Sequence, residues 1–162
     1  MSNPNSEMIT LGMMLRKVPT IVRALPRLVR GIRVANITDP DQPCGLGWTF
    51  EQATQRNPEG AALMYGDQVL SYRQANQHAN RIAHHLQAQG IGKGDVVALF
   101  IENRPELLLT VLAVAKVGGI CAMLNPAQTQ AVLVHSLTLV NPVAIVVGAE
   151  LVDAYDAVRE QV

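Results

Sequence analysis

The sequence predicts an α/β fold in which parallel strands alternate with helices, preceded by a short hairpin and, before that, an amphipathic helical N-terminus. Three observations predict it. Apolar runs at residues 96–101, 120–124 and 143–147 are short and nearly continuous, as strands covered on both faces are. Stretches of helical period separate them, and the joins are only a few residues long. Of the 162 residues, 49% are apolar and 16% charged, which suits a buried core and argues against global disorder.

On a helical wheel of residues 8–34, Leu11, Met14, Val18, Ile21, Val22, Leu25, Leu28, Val29 and Ile32 share one side. Arg16, Arg23, Arg27 and Arg30 gather opposite them. Pro19 and Pro26 each remove a backbone donor and crowd the preceding turn, so two or three kinked helical pieces are expected rather than one straight helix. Residues 1–38 thus form a basic amphipathic helical segment, 39–47 a Pro/Gly-rich linker, and 48–162 the α/β part.

Thr49 and Gln52 have capping-box spacing for a short helix that Pro58 ends. Residues 61–65 and 68–71 flank Gly66-Asp67, a tight hairpin turn. Ser71 is placed to cap the next helix, whose core face carries Tyr72, Ala75, Ala79, Ile82, Ala83 and Leu86. Gly90 stops that helix in the left-handed conformation. After the strand at 96–101, Asn103 and Glu106 repeat the capping pattern and open a helix to Val117. This helix is apolar nearly all round and is therefore expected between layers. Gly118-Gly119 end it. The strand at 120–124, a helix over 129–140, the strand at 143–147 and a last helix over 149–161 follow. Such short strand–helix–strand joins argue for right-handed crossovers in a parallel sheet.

The net charge of zero conceals an asymmetry: residues 1–38 hold Glu7 against six basic residues, and the remainder holds seven basic against twelve acidic. Opposite blocks imply two parts with different jobs. No acidic residue lies between Met8 and Thr38. Arg16, Lys17, Arg23, Arg27, Arg30 and Arg33, with Leu25 and Leu28, are therefore candidates for contact with an anionic membrane surface. The same stripe would serve to dock on the protein's own body, and an arginine-rich, acid-poor start also suits an organelle targeting peptide. Aromatic residues are absent from this stretch, which argues against nucleic acid. Arg16-Lys17 follow rather than precede the apolar run 8–15, unlike a secretory signal. The apolar stretch 107–115 falls short of the roughly 20 residues a bilayer crossing takes. Cys44 and Cys121 make neither a metal-ligand spacing nor a disulfide framework, so a reducing, cytoplasmic location is expected, with peripheral membrane contact left open.

Residue patterns that could carry chemistry have plainer readings. Gly90, Gly92 and Gly94 follow a helix and precede a strand, the reverse of a phosphate-binding loop, and Gly118-Gly119 share that placement. His78 and His85 are two turns apart on a polar face with Gln74, Arg81 and Gln89, without a further metal ligand, and His84 has no role. His135 is expected to be capped or partly buried. Glu106 and Lys116 suit the two ends of their helix dipole, and Cys121 is expected as a buried, inert thiol. The residues alone identify no catalytic, cofactor-binding or metal-binding position.

A resemblance adds to this. Ser71-Tyr72, Asn80, Ala83, Gly90, Gly94-Asp95, Asn103, Ala113, Lys116-Val117-Gly118 and Asn125-Pro126, preceded by Phe50, Pro58, Ala62-Leu63 and Tyr65, stand in the order of the opening of the adenylate-forming acyl-CoA synthetases. Gln74-Ala75 replace the usual Glu-Leu. The basic start and the tail LVHSLTLVNPVAIVVGAEL look like the fatty-acid-transport-protein and very-long-chain acyl-CoA synthetase branch. The resemblance implies part of the N-terminal domain of the acyl-adenylate-forming fold. It implies a parent ligase that joins a long-chain fatty acid to CoA with ATP and Mg2+, releasing AMP and pyrophosphate, with the remainder of the synthetase as partner. The family's Ser/Thr/Gly-rich phosphate loop and C-terminal lysine find no counterpart before Val162, so no catalytic position is carried over and the polypeptide alone is expected to be inactive. The rival expectation is a non-enzymatic membrane-surface scaffolding or binding module on the same half-domain.

Overall fold

The computed structural model describes residues 45–162 and, before them, Val18, Val22, Leu25, Pro26, Val29 and Gly31. The chain divides into two compact units, Met1–Gln42 and Pro43–Val162. In the first, the six described residues are helical and exposed, Pro26 among them; Pro19 and residues 39–44 of the expected linker lie outside the described residues, while residues 46–47 of that linker belong to the first helix of the second unit.

The second unit opens with helix α1 (Leu46–Arg56). Its N-cap is Gly45, without a side-chain cap, so Thr49 and Gln52 fall inside the helix and the expected capping box is not formed. The spacing arises there by chance, and the chain turns at a glycine with φ 115° instead. A Cβ at Gly47 would lie 3.0 Å from the backbone nitrogen of Lys116, so glycine permits the close approach of α1 to the later helix that carries Lys116. Lys116 pairs there with Glu51.

The hairpin forms as expected. Strands β1 (Ala61–Tyr65) and β2 (Gln68–Ser71) pair antiparallel with Tyr65 opposite Gln68, leaving Gly66-Asp67 as the turn. Helix α2 (Tyr72–Ala88) begins with a complete capping box. The Gln74 backbone N–H donates to Ser71 Oγ at 3.2 Å, and the Ser71 N–H donates to Gln74 Oε1 at 2.9 Å. Glutamine therefore serves where the family usually has glutamate. Ala75, Ala79, Ala83 and Leu86 form its buried stripe, and Gly90 stands beyond its end at φ 83°.

Strand β3 (Val96–Phe100) is the centre of a three-stranded parallel sheet, flanked by β4 (Ile120–Met123) and β5 (Ala144–Val147) in the order β4-β3-β5. Its side chains alternate between two cores. Val97 and Leu99 pack with Ala83, Leu86, Ala113 and Val114; Ala98 and Phe100 pack with Leu133, Leu137 and Val158. Helix α3 (Pro105–Val117) supplies the first layer together with α2, and helix α4 (Gln130–Val140) the second. Burial on both faces explains why β3 reads as an unbroken apolar run. Fully burying such a side chain is worth about 1.5–3 kcal/mol, and Val97, Leu99 and Phe100 are each fully buried.

Three further expectations about the helices need correction. The N-cap of α3 is Arg104, followed by Pro105 at the first helical position, so Asn103 and Glu106 make no capping box. The expected last helix is broken into a 3-10 turn (Ala149–Leu151), a short helix α5 (Val152–Asp156) and a second 3-10 turn (Arg159–Gln161). Only Leu151, Ala154, Tyr155 and Val158 of this stretch pack on the core, and so small a face does not sustain a long helix. His135 is exposed rather than capped or partly buried, because Leu133 and Leu137 take the core side of α4.

Candidate functional site

The chain order of the sheet locates the site. From β3 the chain passes through α3 to β4 on one side, then through α4 to β5 on the other. The carboxyl ends of β3 and β5 therefore flank the point where the direction of winding reverses, the place where open α/β sheets receive ligands. Here the ladder continues past the strands, with the Gly148 N–H donating to the Phe100 carbonyl at 2.8 Å.

Just beyond, the chain fills the crevice with its own charges. Glu150 Oε1 accepts from the Glu102 backbone N–H at 3.0 Å, and its Oε2 accepts from Arg104 Nη1 at 3.0 Å. Arg104 also donates through Nε to Glu106 Oε2 at 2.7 Å. One guanidinium thus ties the first turn of α3 to the loop after β5. The Arg104 hydrogen bond, joined by the backbone N–H of Glu106 itself, holds the Glu106 carboxyl below the usual carboxylate range. Backbone N–H donors, its own and that of Glu102, do the same for Glu150, with Arg104 adding to it. The two carboxylates in turn raise the Arg104 guanidinium, Glu106 most. A cavity of about 210 Å³ adjoins this cluster, lined by Leu63, Met64, Tyr65, Asn103, Pro105 and Leu108 together with Arg104. On the same end of the sheet, the buried Oε1 of Gln128 finds no donor among the described residues.

This arrangement can brace two loops, but it is poorly suited to move protons. Both carboxylates are held ionised by donors that are already engaged, and a general acid or base at neutral pH needs the opposite shift. Among the described residues no group of three or more His, Cys, Asp or Glu could hold a metal ion. The glycines at 90, 92, 94, 118 and 119 lie between helix ends and strand starts rather than after strands. A larger cavity of about 520 Å³ lies at the other end of β5, and Tyr155 is the one titratable side chain among its described lining residues.

The residues singled out in the sequence fall as follows. His78, His84 and His85 are exposed on α2. Cys121 is half-buried rather than fully buried, since β4 is an edge strand; its thiol donates to the Val111 carbonyl at 3.9 Å, and desolvation raises its pKa. Of the membrane-contact candidates, Arg16, Lys17, Arg23, Arg27, Arg30, Arg33 and Leu28 lie outside the described residues, and Leu25 is helical and exposed. Among the described residues no helix is long and apolar enough to cross a membrane. Arg104 and Glu150 were not legible as a pair. Charges just after neighbouring parallel strands are the signal that would have found them.

The fold is a parallel sheet with helices on both faces, and an ion-paired cluster stands at the carboxyl ends of its strands. Residues 50–162 match the family model described as AMP-binding enzyme, and the chain belongs to that family. It is 37% identical over 138 residues to the medium/long-chain-fatty-acid–CoA ligase FadD6 of Mycobacterium tuberculosis, covering 85% of this chain and 23% of that protein. It is 31% identical over 127 residues to a linear gramicidin synthase of Brevibacillus parabrevis, covering 78% of this chain and 2% of that one. Among solved structures, the N-terminal domain of FACL13 from Mycobacterium tuberculosis superposes with a TM-score of 0.68 at 29% identity, over 72% of this chain and 30% of that one. The chain thus spans less than a quarter of the ligase it matches.

Proposed function

We infer that this chain is the N-terminal part of a long-chain fatty acid–CoA ligase that forms an acyl-adenylate from ATP and then passes the acyl group to CoA. The observation that carries the reading is the likeness to a medium/long-chain-fatty-acid–CoA ligase over 138 residues. That length exceeds the span from Phe50 to Val162, so it includes residues upstream of the family match. ATP, Mg2+, CoA and the fatty acid are the ligands of the whole enzyme, and residues outside this chain bind them. The chain braces the domain, with Arg104 and Glu150 fixing two loops at the strand ends. Within the family we place it on the fatty-acid-transport-protein branch, from its basic start and its tail. Because a long-chain acyl substrate partitions into lipid, we place the protein in the cytoplasm with peripheral membrane contact.

The test is a graft: residues 50–162 replace the matching portion of the FadD6 ligase. The soluble chimera is offered a long-chain fatty acid with ATP and magnesium. Pyrophosphate release that depends on the fatty acid supports the reading that this chain serves as the N-terminal part of such a ligase. A folded chimera without release would favour the non-enzymatic scaffold.

A further inference from the structure

We propose that the crevice beyond β3 and β5 is a binding site for a small carboxylic acid with an apolar body, which the chain closes on itself with the Glu150 carboxylate. The proposal goes beyond the ligase reading and does not rest on it. The seat already holds a carboxylate. One oxygen of Glu150 accepts from the Glu102 backbone N–H and the other from Arg104 Nη1, each at 3.0 Å, and the Glu150 N–H adds a donor. Separate donors for the two oxygens suit a flat carboxylate, and a guanidinium is the side chain that matches it best. Gly148 makes room for this group. Its backbone has φ −64° and ψ 142°, which any residue adopts, yet a Cβ there would lie 2.2 Å from Glu150 Oε1. Glycine stands at this position for the space the oxygen takes, not for backbone freedom.

The adjoining cavity of about 210 Å³ takes the body of the acid. Arg104 forms one wall, and Leu63, Met64, Tyr65, Pro105 and Leu108 give an apolar lining. Met64, Tyr65 and Leu108 are exposed, so apolar area remains for a ligand to cover. A cavity of about 150 Å³ takes benzene, and one of this size holds a ring or a short branched chain with its acid group on Arg104. An inorganic anion would leave the apolar wall uncovered, and a neutral molecule would leave Arg104 on Glu150. The side chains of Arg104 and Glu150 are 38% and 23% exposed. Water therefore reaches the pair, and an ion pair open to water is weak enough for a dissolved acid to replace one partner.

The whole 162-residue chain is titrated with sodium benzoate and, separately, with benzamide, and its backbone amides are followed by nuclear magnetic resonance. Benzoate is expected to shift the amides of Glu102, Arg104 and Leu108; benzamide, which has the ring without the charge, should leave them in place. Glu150→Ala removes the built-in competitor and should tighten benzoate binding by on the order of tenfold. Glu150→Gln keeps the length of the side chain without its charge, should act in the same direction, and serves if Glu150→Ala does not fold. Adding Arg104→Gln to either variant should weaken binding by on the order of tenfold or more. Gly148→Ala sets a methyl group where the carboxylate oxygen sits and should abolish binding while the spectrum stays that of the folded chain. The proposal is overturned if a folded Glu150 variant binds benzoate no more tightly than wild type, or if benzamide binds as well as benzoate. Binding that survives Arg104→Gln or Gly148→Ala undiminished would overturn it too. Acyl-CoA formation by the graft bears on none of these outcomes.

Discussion

Truncating the two faces of β3 separately tests the layered fold. Leu99 points into the core shared with α2 and α3, Phe100 into the core shared with α4 and Val158, and both are fully buried. Leu99→Ala should cost about 2–5 kcal/mol and Phe100→Ala about 3–5 kcal/mol, the transfer of the lost atoms plus the cavity left behind. Against a typical stability of about 5–15 kcal/mol either loss is large. At roughly 3–6 °C per kcal/mol for a domain of this size, Phe100→Ala should lower the melting temperature by about 9–30 °C. Met123→Ala on edge strand β4 is the control: that side chain is 66% exposed, and its loss should cost less than about 0.5 kcal/mol. Urea unfolding followed by far-UV circular dichroism at low protein concentration reads all three, with unchanged slopes expected. If Phe100→Ala cost under about 1 kcal/mol while Leu99→Ala showed its full effect, the second layer would not cover the sheet and the reasoning would fail.

Three further outcomes follow from local features. Ser71→Ala should destabilise the domain by about 1 kcal/mol through loss of the α2 capping box, and Gln74→Ala by less; equal stability of Ser71→Ala and wild type in urea would count against the cap. Glu106 and Glu150 have folded-state pKa values below their unfolded ones, so their contribution is present above about pH 4.3 and is lost as pH falls through the lower folded values. The urea midpoints of wild type and Arg104→Gln should therefore differ at neutral pH and converge in acid, and a gap that widened as pH fell would contradict the sign. Exposed Met64, Leu139, Met123, Val143 and Val132, with outer edges of β4 and β5 that pair with no strand among the described residues, should make the polypeptide associate as concentration rises; sedimentation velocity showing a monomer throughout would refute this.

Much of the architecture is legible in the sequence because local signals and tertiary demands agree. Gly66-Asp67 sits between two strand-like runs and becomes the turn; Ser71 with Gln74 has both the cap spacing and the chemistry to fill it. The apolar run at β3 survives as a strand because helices cover both faces. Caps are legible only where a true start coincides with the pattern. Thr49–Gln52 has the spacing, yet the chain had already turned into α1 at Gly45; Asn103–Glu106 has it too, but Pro105 fixes the first helical position one residue later. The last helix misled because its apolar spacing is helical while the area it buries is small. Arg104 and Glu150, separated by 46 positions, come together only when β5 lies beside β3, and no local pattern encodes that strand order.

The most direct measurement of the central claim compares acyl-CoA formation by two proteins: the 162-residue polypeptide alone, and its residues 50–162 grafted into the FadD6 ligase. Each is incubated with ATP, magnesium, CoA and a long-chain fatty acid, with the thioester identified by mass. Among the described residues no group of three or more His, Cys, Asp or Glu could hold a metal ion, and the chain spans 23% of its ligase relative. No thioester is therefore expected from the polypeptide alone, and fatty-acid-dependent thioester is expected from the graft. Thioester from the polypeptide alone, or none from a folded graft, would contradict the account.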